Sequence, residues 1–211
     1  MMLRSAVALL ASLLVAPWSG AAWAHSASGP AATSITITRP AHISVGGPFS
    51  LIDQNGRILS DSDFRGTPML IYFGYTNCAD TCPLDAQTIS SVVDILDRRG
   101  LKVAPIFISV DPQRDTPARL KEFLSAFHPR FVGLSGSVEA VSRITAAYGA
   151  VDDRVRQTAP DSYEVLHPAL AYLIARDGEV VDFIHLKDEP ELIAKQISKK
   201  ISDIDHATNS R

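Results

Sequence analysis

Cysteine is scarce in this chain: there are two among 211 residues, Cys78 and Cys82. A fold stapled by several disulfides is therefore excluded. A bridge between residues four apart would also close too short a loop to restrict the unfolded chain much. Basic blocks are missing. The formal charge is −3 and no long Lys/Arg run occurs, so the chain lacks the cationic footprint of a nucleic-acid partner. Methionine is nearly absent beyond Met1 and Met2. Met69 is the exception, and it sits inside an apolar run, so no methionine-rich soft-metal motif exists. Internal repeats and low-complexity runs are not evident, and past the N-terminal stretch no segment is apolar enough to span a membrane. What is there is ordinary for one globular domain, 46% apolar and 20% charged.

Residues 1–24 read as a secretory signal. Arg4 supplies the positive start, Ala6 to Ala16 the apolar stretch, Pro17 and Gly20 the break, and Ala22-Trp23-Ala24 the small-x-small cleavage site. The alternative is an uncleaved anchor formed by residues 5–23. Cleavage would remove Arg4 and take the charge from −3 to −4. Export, most simply to a periplasm, puts the two thiols where disulfides can form. Residues 25–45, rich in Ser, Ala, Gly, Thr and Pro, read as a linker. Within it Ile35 to Thr38 alternates like a short edge strand. A new N-terminal His25 would offer Cu(II) an amine and a ring. The domain proper is expected over 46–205, followed by a polar tail at 206–211.

Phe49 to Asp53 and Arg57 to Leu59, joined by Asn55-Gly56, predict a β-hairpin with a tight I′ turn. Asp61 to Gly66 is turn-like. Met69 to Phe73 is a continuous apolar run, as in a strand buried on both faces. Pro83 suits a first helical turn, and Ile89, Val92, Val93 and Leu96 carry that helix to about Arg99, with Gly100 closing it. Leu101 to Val110 is a second buried strand. Thr116 and Pro117 open a helix with Leu120, Phe123, Leu124 and Phe127 inward. Phe131 to Leu134 is a short strand. Ser137 caps the next helix, with Val138, Val141, Ile144 and Tyr148 inward and Gly149 at its end. Residues 150–165 are a polar loop or hairpin insertion. Ala169 to Ala175 and Val180 to Ile184 form a hairpin about Asp177-Gly178, and Pro190 to Ile204 is the last helix. The βαβ segment requires parallel strands with a right-handed crossover. With two thiols at the end of the first buried strand, the fold class is α/β, thioredoxin-like, with an N-terminal β-hairpin extension.

Two thiols at a strand-to-helix junction can form a disulfide, bind a soft metal, or do each in turn. A helix N-terminus favours the thiolate, which is both ligand and nucleophile. A compact S,S site suits Cu(I), but two thiols alone would leave the metal without a third ligand. With methionine excluded, histidine remains. His42 lies in the linker, His128 after a helix, His185 at a strand end and His206 in the tail. His167 stands just before the strand at Ala169, whose start approaches the cysteine helix in such a fold. It is the candidate, set against a plain solvated loop histidine.

Three segments carry a resemblance. Phe73 to Pro83, FGYTNCADTCP, resembles the FGYTxCxDxCP signature of the Sco/SenC family of copper chaperones. Ser109 to Pro117, SVDPQRDTP, is similar to that family's SVDPxRDTP segment, and His167 to Ile174, HPALAYLI, to its HxAxxYLI stretch. The likeness spans about residues 46–200. It implies copper ligands at Cys78, Cys82 and His167, a reversible Cys78–Cys82 disulfide, and an outer-sphere or docking role for Asp111. It also implies a role in assembling the binuclear copper centre in subunit II of cytochrome c oxidase, with copper taken from a donor protein. Asn77 and Ala79 stand where the family often has His and Pro. Pro168 replaces a common Ser and makes the His167–Pro168 bond a candidate for cis. Two function classes stay open. One is a copper-carrying binding protein, using Cu(I) or also Cu(II). The other is a thiol–disulfide oxidoreductase acting on the oxidase subunit or another exported partner, although such enzymes usually have two residues between their cysteines and not three. A peroxiredoxin-type peroxidase fits less well, because both thiols lie in one short segment.

Overall fold

The Asn55-Gly56 pair turns the chain as its composition demands. Strand β1 (Ser50–Asp53) pairs antiparallel with β2 (Ile58–Ser60), Leu51 opposite Leu59, and Gly56 takes a positive φ of 81°. The computed structural model describes residues 45–78, 80–150, 155–159, 162–165 and 167–209. All belong to one compact unit, His42–Arg211. The leader, the linker, His25, His42 and the Ile35–Thr38 alternation lie outside the described residues.

The apolar run becomes β3 (Met69–Gly74), buried at every position. Helix α1 (Thr81–Arg98) follows. Then β4 (Ala104–Ser109) lies parallel to β3, from Met69 opposite Ala104 to Gly74 opposite Ser109. Helix α2 (Pro117–Leu124) starts at its proline, with Thr116 Oγ1 accepting the Arg119 N–H at 3.3 Å. Strand β5 (Val132–Ser135) extends the parallel set beside β4. Helix α3 (Val138–Tyr148) is capped by Ser137 and stopped by Gly149 in the left-handed region. Strand β6 (Val155–Ala159) pairs antiparallel with β7 (Ser162–Val165), outside the main sheet. Strands β8 (Leu170–Ile174) and β9 (Val180–His185) close the sheet, and α4 (Pro190–Asn209) ends the described chain.

The main sheet runs β2-β1-β5-β4-β3-β8-β9, parallel in the middle and antiparallel on both flanks. The thioredoxin-like arrangement with an added N-terminal hairpin is therefore present. Tyr72, Phe73, Phe107, Leu70, Ile71, Ile89 and Leu96 are completely or almost completely buried. Each side chain of this size contributes roughly 1.5–3 kcal/mol by leaving water. The central strands and α1 carry much of the core, and the thiols sit where these two elements meet.

Three details differ from the sequence expectation. Asp61–Phe64 is a short 3-10 helix, held because the Asp63 carboxylate accepts the Ser60 N–H at 2.7 Å. Val138 is 49% exposed rather than inward, since the buried stripe of α3 starts one turn later at Val141. Helix α4 runs past Ile204 to Asn209 and takes in His206. Its last turns are polar and offer no apolar period to read. The Lys199–Asp203 pair at 2.7 Å, four residues apart, supports them locally.

Candidate metal centre

Helix α1 starts at Thr81, so Cys82 and Pro83 occupy its second and third positions. The capping residue, Asp80, makes no side-chain cap bond. The cap is supplied by sulfur: the Cys82 N–H donates to Cys78 Sγ at 3.4 Å, and Thr81 Oγ1 lies 3.6 Å from the same atom. Burial alone would raise the Cys78 pKa. The hydrogen bonds from Cys82, Asp80 and Thr81 outweigh it and hold the thiol below its ordinary value. Cys82 is fully buried. Burial first, and then the neighbouring Cys78 sulfur, push its pKa up to about 12, against a backbone hydrogen bond from Tyr75 and one from Tyr72. One thiol is partly exposed with its pKa lowered, the other buried with its pKa raised. Both are free cysteines in this structure.

His167 arrives from the far side of the sequence. Its Nε2 lies 3.4 Å from Cys82 Sγ. Its Nδ1 lies 3.3 Å from the Pro168 carbonyl oxygen, which can only accept. That contact assigns the ring proton to Nδ1 and leaves the Nε2 lone pair facing the thiol. The ring stands edge-on to Tyr72 and Tyr75, with centroids 5.9 and 6.0 Å away. Burial lowers its pKa, against the Pro168 carbonyl and the charge of Asp85, so the imidazole is neutral near neutral pH. Neutral is the ligating form. Among the other described histidines, His128 is partly buried with Nδ1 accepting the Arg130 N–H at 3.1 Å, while His185 and His206 are exposed.

Several residues that the motifs left unassigned build the floor and the walls. Tyr72 donates to Asp85 at 2.9 Å beneath the thiols. Asp85 is 8% exposed, and burial raises its pKa, against the Tyr72 hydroxyl bond and the neighbouring His167 and Lys187. Asp115 is 1% exposed and accepts the Thr76 N–H at 3.0 Å, the Thr76 hydroxyl at 2.6 Å and the Ser109 hydroxyl at 2.7 Å. It ties the loop that carries Cys78 to the end of β4. A signal for both existed in the sequence: a carboxylate three residues after Cys82, and the second Asp of SVDPQRDTP.

Asp111 lies just past the end of β4, its N–H donating to Ser109 Oγ at 3.0 Å. It is 3% exposed, which leaves no surface for docking. It pairs with Arg114 and accepts the Tyr163 hydroxyl at 2.8 Å. Among the described residues no cluster of three or more His, Cys, Asp and Glu groups forms a ready metal cage. Two sulfurs and one imidazole are soft donors of the kind that could hold a soft ion such as Cu(I), unlike the oxygen ligands of a hard-cation cage.

A thioredoxin-like domain with one thiol just before and one within the first turn of α1, and a histidine from the segment just before β8 beside them, defines the class. A sequence profile described as SCO1/SenC matches residues 38–202, and the chain belongs to that family. It is 37% identical over 153 residues to an SCO2-like protein of Rickettsia felis, covering 72% of this chain and 75% of that one. It is 37% identical over 160 residues to protein SenC of Rhodobacter capsulatus, covering 76% and 72%. Among solved structures it resembles copper-bound ScoI of Bradyrhizobium japonicum, with 42% identity, TM-score 0.69 and 74% and 99% of the two chains covered. It also resembles copper-bound yeast Sco1, with 33% identity, TM-score 0.69 and coverage of 74% and 87%.

Proposed function

We propose that this protein is an exported copper carrier that holds Cu(I) on Cys78, Cys82 and His167 and hands it to an oxidase under assembly. The observation that carries the reading is the 3.4 Å approach of the His167 Nε2 lone pair to Cys82 Sγ. Ligand atoms about 2.0–2.3 Å from a first-row ion, spread by about 110–120°, stand roughly 3.6–3.8 Å apart. A shift of a few tenths of an ångström would therefore let both face one metal. Copper supplies the positive charge that lets buried Cys82 ionise; the proton it loses leaves with copper entry. Half-exposed Cys78 is the side from which an acceptor thiolate can join, so the ion passes by ligand exchange without meeting water. The relatives support copper as the cargo. The family role supports subunit II of cytochrome c oxidase as the receiver and a separate copper donor. The leader supports a periplasmic location, free or anchored.

The test is titration of the fully reduced protein with Cu(I) against a competing chelator. One copper per chain is expected. His167→Ala should weaken it by more than the roughly tenfold cost typical of losing an outer-sphere partner. Weak uptake indifferent to His167→Ala would remove the reading.

A second reading is favoured by the acidity contrast between the thiols. The Cys78 thiolate attacks a partner disulfide, forms a mixed disulfide and expels one partner thiolate. Cys82 then attacks Cys78, closes the Cys78–Cys82 bridge and releases the second partner thiol, so two electrons pass to the partner. Copper carriage and disulfide reduction use the same pair at different times.

A further inference from the structure

The β6–β7 pair lies outside the main sheet, with Val165 at the end of β7 buried in the core, and one residue further on the chain reaches His167. What fixes this appendage fixes the approach of the third ligand. Tyr163 of β7 is held from three directions. Its hydroxyl donates to Asp111 at 2.8 Å, its carbonyl accepts Arg114 Nη2 at 3.2 Å, and the Arg114 guanidinium lies over its ring at 3.7 Å. Arg114 is itself paired with buried Asp111. Asp111 is anchored in turn, its N–H donating to Ser109 Oγ at 3.0 Å at the end of β4. The same guanidinium lies 5.7 Å from the Tyr75 ring, and Tyr75 stands edge-on to His167 at 6.0 Å. Two routes thus run from one cluster to one imidazole, along the chain from Tyr163 and through space by Tyr75.

We propose that Asp111, Arg114 and Tyr163 form a latch that positions His167 over Cys82. They touch neither sulfur; they act through the hairpin. Resting on the copper reading above, the latch sets the histidine's contribution to copper affinity and leaves that of the thiols alone. The physical ground is preorganisation. A ligand already held in place loses little freedom on binding, whereas one on a loose hairpin must be ordered first. Three residues lie between Tyr163 and His167, and of these Val165 is buried in the core, so release of Tyr163 loosens the short run of chain that leads into the imidazole. A cation held between two aromatic rings and a buried carboxylate is a strong fastening, since each contact is partly desolvated.

The test uses Tyr163→Phe, which removes one hydroxyl, and Arg114→Met, which removes the charge and the stacking but keeps the length. In the metal-free protein the His167 ring protons should show shifts displaced by the edge-on Tyr72 and Tyr75 rings. Both variants should move them toward free-histidine values. In Cu(I) competition each variant should bind about tenfold more weakly than the unaltered protein. In a His167→Ala background the same substitutions should change copper affinity by less than twofold. An equal loss in that background, or unmoved His167 resonances in both variants, overturns the latch. Arg114→Met leaves Asp111 buried without its cation; if that variant does not fold, Tyr163→Phe decides alone. Absence of copper binding in the unaltered protein would sink the copper reading, and the metal-free resonances would still decide the latch.

Discussion

Cys82 Sγ and His167 Nε2 lie 3.4 Å apart although 85 residues separate them in the chain. The fold makes this contact by pairing β8 antiparallel to β3, Ala171 opposite Tyr72, so that the chain entering β8 passes the thiol end of β3. The two partners are held in opposite ways. Cys82 is fixed by a helix packed on the core, His167 by an appended hairpin.

The first prediction concerns the thiols themselves. Cys78 is half-exposed with a lowered pKa, and Cys82 is buried with its pKa pushed up to about 12. Thiolate fraction and access both control alkylation. Limited iodoacetamide at neutral pH should therefore modify Cys78 at least about tenfold faster than Cys82, read by peptide mass spectrometry. Cys78→Ser should nearly abolish labelling of the folded protein. Equal rates at the two sites would contradict the assigned asymmetry.

The second prediction lies far from the thiols. Asp53, fully buried beside the Asn55-Gly56 turn, accepts the Asn55 and Arg57 N–H groups at 2.8 Å each and pairs with the Arg57 guanidinium at 2.7 Å. Burial works to raise its pKa, but the Arg57 and Asn55 contacts win and lower it below 3.8. A carboxyl whose folded pKa lies below its unfolded value contributes stability above the unfolded value and loses it as pH falls through the folded one. Asp53→Asn should cost about 1–3 kcal/mol near pH 7. It should also flatten the decline in stability below about pH 4. Urea melts at the two pH values measure both.

The order of elements and the thiol pair were legible in the sequence, because each element announces itself locally. Met69 to Phe73 has no polar residue to place at a surface, Thr116-Pro117 and Ser137 are caps, and Asn55-Gly56 is a turn. His167 was reachable only through fold class and resemblance. Asp85, Asp115, Arg114 and Tyr163 were not singled out. Much of their importance comes from distant partners, Tyr72 13 residues from Asp85, Thr76 39 from Asp115 and Tyr163 49 from Arg114, and no periodicity encodes such a pairing. The end of α4 escapes a sequence reading for a related reason: a polar helix end supported by local ion pairs has no apolar period and looks like a tail.

A third prediction tests how tightly the thiol loop is seated. Gly74 ends β3, and a Cβ there would come within 2.8 Å of Tyr72 Cε1 and 3.0 Å of two Phe107 ring carbons. Both rings are fully buried and cannot yield cheaply. Gly74→Ala should destabilise the fold by about 1–3 kcal/mol through overpacking. It should also disturb the Tyr72–Asp85 hydrogen bond, visible as a changed tyrosine absorbance in the folded protein. A melting temperature equal to that of the unaltered protein would show that the rings have more room than the structure gives them.

The last prediction links the two uses of the cysteine pair. Oxidation removes two electrons and two protons, one from each thiol, and joins Cys78 to Cys82. Both sulfurs then lose the thiolate charge that a soft cation requires. His167 alone, neutral and singly coordinating through Nε2, cannot hold Cu(I) against a chelator. Fully oxidised protein, checked by the mass of the two lost hydrogens, should take up no Cu(I), and a reductant should restore one equivalent. Reduction should also be easier than for a typical structural bridge, because the short loop adds little stability to the folded state when closed. The decisive measurement is bound copper after gel filtration of oxidised and re-reduced samples. Equal copper in both would mean that the metal is not held by the thiols, and the shared-site account of carriage and reduction would fall with it.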